Sequence, residues 1–166
     1  MSKKFIVLVG NIGTGKSTIV KQIVKHNYCC ISRDSLRYMI GAGKYIFDPF
    51  LEPCIWRSER SIIQIMMNYD ENIVVDEVGV SKSLRAPYLK LAIINGYEII
   101  AYVMPKLSKK ICVDRRVANS HGNNSRKVWE RVWDQFNLVY SKPTLKEGFD
   151  KVIDHNKSGK KFISQL

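Results

Sequence analysis

The sequence predicts an α/β domain, a central parallel sheet of four to five strands with helices on both faces. Two observations carry that expectation. Short β-branched runs alternate with stretches of helical periodicity along the chain, the pattern of successive strand–helix crossovers. The first such unit, within Phe5–Lys25, passes from strand through a glycine-rich loop straight into a helix.

Each element has its own signal. Phe5 to Val9 is a short apolar run, and Ile19, Val20, Ile23 and Val24 recur at helical spacing from Ser17 to Lys25. Tyr28 to Ile31 reads as a second strand. Ser32 is a good N-cap for a helix carrying Leu36, Met39 and Ile40 as far as Gly41. A long helix is expected from Phe50 to Tyr69, with Leu51, Ile55, Ile62, Ile65 and Met66 as its apolar face and Pro53 early enough to be tolerated. "NIVVDE" (72–77) reads as a buried strand ending in carboxylates. A helix from Lys82 to Asn95 stops at Gly96, and "YEIIAYVM" (97–104) forms a strand closed by Pro105. Helices are expected over Ser108–Asn119 and Ser125–Tyr140, joined by a mobile turn "NSHGNNS" (119–125), and "KVID" (151–154) adds a last short strand.

The 166 residues, with no internal repeat or linker, predict one domain spanning 1–166. The composition, 45% apolar and 25% charged, is that of a globular protein. Cys29, Cys30, Cys54 and Cys112 lack the spacing of a zinc half-site and are expected as reduced thiols in the cytoplasm. The opening Met-Ser-Lys-Lys has no signal-peptide character, and no apolar run approaches the ~18 to 20 residues of a membrane span. Lys and Arg number 27 against 15 Asp and Glu, a net +12 that admits two readings, a polyanionic partner or a solvated basic surface.

The glycine loop is the most specific signal. Gly10, Asn11, Ile12, Gly13, Thr14, Gly15, Lys16 and Ser17 satisfy G-x-x-x-x-G-K-[ST] between a strand and a helix, with Thr18 following. Glycines let successive backbone N–H groups turn inward around an anion, and the helix N-terminus adds partial positive charge. Lys16 is expected at the β and γ phosphates of ATP and Ser17 at Mg²⁺. Kinases, GTPases and motor ATPases share the motif, so it leaves the phosphate acceptor open.

Ligands of such sheets sit outside the carboxyl ends of the strands, where the loops after Val9, Ile31 and Val75 should converge. In "SRDSLR" (32–37), Asp34 and Arg37 are three apart and share a helical face. Asp34 could take a proton from an attacking hydroxyl while Arg37 holds an acceptor phosphate. Equally, the two could be a helix-stabilising pair. Asp76 stands where a carboxylate would approach Mg²⁺ or its waters, or would simply be solvated at a strand end. Between Lys106 and Arg131 lie eight cations, Arg115, Arg116 and Arg126 among them. They read as an arginine-bearing lid over the phosphates or as two solvated helix faces. His121 reads as a loop histidine.

Taken in order, "GNIGTGKS", "ISRDSLR", "VVDE", the arginine-rich helices and "KPTLKEGFDKVI" resemble the polynucleotide 5′-hydroxyl kinases of the phage type, across nearly the whole chain. The resemblance implies a P-loop kinase fold with a helical lid. Its activity would be Mg²⁺-dependent transfer of the ATP γ-phosphate to the 5′-hydroxyl ends of DNA or RNA. It puts the general base on Asp34 and an acceptor-phosphate contact on Arg37, with Lys16 and Ser17 at the donor phosphates and Mg²⁺, Asp76 at the strand end, and a lid arginine on Arg116 or Arg126. Two departures stand out: a second lid arginine four residues after the first would fall on Asn119 or Ser120, and Val78 stands where phage-type members tend to have asparagine. The D-x-D-G-T motif of an attached 3′-phosphatase does not occur, so a kinase-only protein is expected.

Two other readings remain. A deoxynucleoside or other small-molecule P-loop kinase shares the loop, and Glu59-Arg60-Ser61 imitates an E-R-S signature, although inside a helix. A P-loop nucleotide switch or nucleic-acid-binding module would bind without transfer. GTPase identity is disfavoured because "NKSG" (156–159) lacks the aspartate of N-K-x-D.

Overall fold

The β-branched runs pair into one sheet. β1 (Lys4–Val9), β2 (Tyr28–Ile31), β3 (Asn72–Val75), β4 (Glu98–Val103) and β5 (Lys151–Asp154) lie in the order β2-β3-β1-β4-β5, all parallel. The structure, a computed structural model, describes residues 3–119 and 125–166. β1 is central, with Phe5 in register with Ile73 on one side and Ile99 on the other. A central parallel strand has both faces covered, which is why β1 is a continuous apolar run rather than an alternating one.

The helices are α1 (Lys16–Ile23), α2 (Arg33–Ile40), α3 (Glu52–Asn68), α4 (Lys82–Ile94), α5 (Lys109–Ala118), α6 (Arg126–Leu138) and a short α7 (Lys160–Ser164). On one face of the sheet Phe5, Val7, Ile73, Val75 and Ile99 pack against Ile63 and Met67 of α3 and Tyr88, Leu89 and Ala92 of α4. On the other, Ile6, Leu8, Val74, Ile100 and Tyr102 meet Ile19, Val20 and Ile23 of α1 and Ile163 of α7. A third cluster joins Ile12 of the glycine loop to Val113 of α5 and Trp129 of α6, so this helix pair sits on the phosphate loop. Among the described residues no helix is long and apolar enough to cross a membrane.

Among the departures from the sequence reading, two boundaries have a clear local reason. β3 stops at Val75. Asp76 N–H still bonds Ile31 O at 2.9 Å, but Glu77 swings away to accept from the Arg33 backbone N–H at 2.8 Å. α3 begins at Glu52, because Leu51 and Glu52 both donate to Asp48 O and close a turn before the helix. Its buried stripe is therefore Ile55, Glu59, Ile63 and Met67, while Leu51 and Ile65 are exposed. After β5 the chain adds a wide helical turn (His155–Gly159) and α7, neither of which the sequence reading anticipated. The 119–125 turn, with Ser120 and His121, lies beyond Asn119 and short of Ser125 outside the described residues.

The tail "PTLKEG" has a structural task. Thr144 and Glu147 form a reciprocal capping box, and the Glu147 carboxylate holds the fully buried Arg85 of α4 by two hydrogen bonds of 2.7 and 2.9 Å. Arg85 also donates to the carbonyls of Gly79 and Ser141, which pins the approach to β5 against the loop after β3.

Candidate active site

The glycine loop is shaped by contact as well as by conformation. Gly13 and Gly15 have φ of 68° and 94°. A Cβ on Gly13 would stand 2.3 Å from the Cys112 carbonyl oxygen, so the loop runs flush against α5. Lys16 Nζ donates to the carbonyls of Gly10 (3.0 Å) and Asn11 (2.9 Å). Burial lowers its ammonium to about 8, with Asp76 opposing that shift and Arg116 adding to it.

Not every loop residue faces the anion nest. Asn11 accepts from the Ile12 backbone N–H at 2.7 Å and donates to the Trp133 carbonyl at 3.0 Å, while the Ile12 side chain is buried under α5 and α6. The side chains of these two positions, both expected at the nucleotide, tie the glycine loop to α5 and α6, and the Ile12 N–H is engaged by Asn11. Thr14 Oγ1 donates to Asn11 O at 2.8 Å, and the Thr18 N–H is engaged by Gly15 O at 3.1 Å.

Ser17 and Asp76 meet as the sheet order requires, since β1 and β3 are neighbours. Ser17 Oγ donates to Asp76 Oδ2 at 3.0 Å. Burial pushes the Asp76 carboxyl above its ordinary range, with Lys16 and Ser17 pulling it back. One hydroxyl and one carboxylate suit Mg²⁺, a hard cation that keeps most of its shell as water and phosphate oxygen.

Across the cleft, Ser32 caps α2 and places Asp34 in its first turn. Asp34 Oδ1 accepts from Arg37 Nη1 at 2.7 Å and from the Tyr45 hydroxyl at 2.9 Å. Arg116 Nη2 stands 3.9 Å from Asp34 Oδ2. Arg37 does not present a free fork, because its Nε and Nη2 are held by Glu52 at 2.9 and 2.6 Å. In this arrangement it is first a strut that fixes the carboxylate.

The two lid arginines separate. The Arg116 guanidinium lies 4.6 Å from the Trp129 ring centroid and points at Asp34; burial pulls its pKa below the ordinary arginine value while Asp34 opposes. Arg126 pairs with Asp114 at 2.5 Å on the exposed side of the lid and is not brought to the cleft. Arg115, counted in the basic stretch but given no role at the site, donates to Gly13 O at 3.2 Å. Tyr45 and Glu52 were also missed, lying 11 and 18 residues beyond Asp34 with no local signal.

Behind this cleft lies a buried charge cluster. Glu59 is fully buried, accepts from the Tyr88 hydroxyl at 2.9 Å and lies 3.7 Å from Arg33 Nε, while the Arg33 guanidinium binds Glu77 and stacks 3.8 Å from the Trp56 ring centroid. The E-R-S triplet is thus a helix segment whose glutamate braces α3, α4 and the start of α2.

A search of the curated proteins finds no significant match. Solved structures do resemble the chain. One is a chain of the Pnkp1/Rnl/Hen1 RNA repair complex, with a TM-score of 0.66 and 19% identity over 90% of this chain and 47% of that one. Another is a fungal RNA kinase, with a TM-score of 0.59 and 17% identity over 93% and 76%. A third is the Mycobacterium tuberculosis APS kinase CysC in complex with AMPPNP and APS, with a TM-score of 0.66 and 14% identity over 99% and 95%. This chain spans 39 to 47% of the length of the repair-complex chains. At these identities the likeness is one of fold, the P-loop kinase fold. In sequence, residues 5–143 match the AAA domain family model, and the chain belongs to that family.

Proposed function

We propose that this protein is a polynucleotide 5′-hydroxyl kinase, transferring the γ-phosphate of ATP to the 5′-OH of DNA or RNA. The observation that carries the reading is the placement of Asp34, fixed by Arg37 and Tyr45, in the same cleft as Lys16 and 3.9 Å from Arg116. Mg²⁺ held near Ser17 and Asp76 would neutralise phosphate charge when bound. Asp34 takes the proton of the acceptor hydroxyl as the new P–O bond forms and the bond to the β-phosphate bridging oxygen breaks, releasing ADP. Lys16 and Arg116 supply positive charge on either side of the transferring group.

The basic surface supports a polyanionic acceptor, and a chain of an RNA repair complex and an RNA kinase are among the similar structures. A second reading, a small-molecule kinase, is favoured by one observation: the APS kinase matches this chain over 95% of its own length.

The test offers γ-labelled ATP to 5′-hydroxyl DNA and RNA oligonucleotides and, separately, to deoxynucleosides, APS and shikimate. Transfer to an oligonucleotide should fall by about 10²- to 10⁴-fold in Asp34→Asn, with nucleotide binding retained. Arg116→Ala should lower kcat far more than Arg126→Ala. Transfer to a small molecule and to no oligonucleotide would replace the reading with the second. Binding without transfer to any acceptor would leave a nucleotide switch or binding module.

A further inference from the structure

Between α2 and α3 the chain crosses the Asp34 side of the cleft in a loop that leaves large apolar side chains outside. Phe50 is 93% exposed and Phe47 63%, and Met39 and Ile40 at the end of α2 are exposed as well. A single surface apolar residue needs no explanation, but two exposed phenylalanines three residues apart beside a catalytic cleft do. The core does not use them: α2 buries Leu36 and α3 buries Ile55, and the loop takes no part in either face of the sheet.

Their surroundings are cationic. The Phe47 ring centroid lies 5.4 Å from the guanidinium of Arg37, itself fixed by Asp34 and Glu52. One turn into α3, Trp56 stacks between Arg33 at 3.8 Å and Arg60 at 5.9 Å. Arg57 and Arg60 in α3 and Lys44 in the loop are exposed. Aromatic faces interleaved with cations are what single-stranded nucleic acid requires, since rings stack on bases and cations follow the phosphates. A small acceptor would call for an enclosed pocket rather than open rings.

We propose that loop 41–51 and the start of α3 form a stacking platform for the unpaired bases at the 5′ end of a single-stranded acceptor, with Phe47 and Phe50 as the rings and Arg57 and Arg60 along the backbone. The proposal rests on Asp34 marking the acceptor side.

The test measures binding of a single-stranded 5′-hydroxyl oligonucleotide carrying a 3′ fluorescein, by anisotropy, together with phosphate transfer to it. Phe47→Ala and Phe50→Ala should each weaken binding by about tenfold, with the change in transfer carried by KM and with melting temperatures unaltered. An oligonucleotide whose two 5′-terminal nucleotides are abasic should bind wild type as weakly as the double variant binds the intact strand, and should lose nothing further in that variant. Equal binding by wild type and the double variant would overturn the platform, as would equal binding of abasic and intact strands. So would a phenylalanine dependence seen only in co-sedimentation with phosphatidylserine vesicles. If the oligonucleotide binds through the phenylalanines but is never phosphorylated, the platform stands and the kinase reading falls. If it is phosphorylated with no phenylalanine dependence, the reverse holds.

Discussion

Lys16 gives the glycine loop a pH signature. Its ammonium is lowered to about 8 by burial, and a polyphosphate beside it must raise that value again, so binding takes up a proton once the free protein has lost one. The sign follows: affinity for Mg²⁺-ADP should be flat below pH 8 and fall by up to about tenfold per pH unit above it, measured by calorimetry. Lys16→Met should bind more weakly and lose the slope. Glu59 has a different signature. Burial first, and the charge of Glu77 second, push its carboxyl well above the carboxylate range. A raised acid contributes its full stability below the unfolded-state value of about 4.3 and loses it as pH rises through the folded value. Thermal melting should therefore show the wild type losing stability between about pH 4 and 8 and Glu59→Gln losing less over the same range, by about 1 kcal/mol or more. Lys16 was legible because a short motif dictates its place. Glu59 was not, because a glutamate in a helical stripe is read as solvent-facing until Tyr88 and Arg33 are seen to meet it.

At the scale of elements, the tail before β5 is held by charge rather than by apolar burial. Glu147→Ala leaves the fully buried Arg85 with only carbonyl and hydroxyl partners, and denaturant titration should show a loss of about 3 to 5 kcal/mol. The strands and most helices were readable because apolar period and caps agree, as at Ser32, Ser81 and Ser108, each of which accepts from the N–H three residues on. The wide turn after β5 carries no such period in "HNKSG". The lid shows a finer limit. Arg115 and Arg116 are neighbours in sequence, but about 100° of helical rotation sends one to the Gly13 carbonyl and the other toward Asp34. Charge counting found the helix, and only its phase in the fold could sort its arginines.

For the whole molecule, the net charge of +12 becomes a measurable slope. If three or more phosphates of a single strand are held, log affinity should fall against log salt with a slope of about −2 or steeper, close to 20-fold weaker binding from 50 to 200 mM. A small-molecule acceptor would show a much shallower dependence. The parallel order around β1 sets where this charge is used, because it brings the ends of β1, β2 and β3 to one cleft while α5 and α6 close on the glycine loop. That closure distributes the three tryptophans unevenly. Trp129 shares a cluster with Ile12 and Trp133 is tied to Asn11 through its carbonyl, whereas Trp56 stacks on Arg33, the first residue of α2, behind the Asp34 side of the cleft. The protein thus carries its own pair of optical probes, two indoles reporting on the glycine loop and one on the side of α2 and Asp34. Replacing Trp56 alone, or the other two together, would make each half of the cleft separately visible in fluorescence.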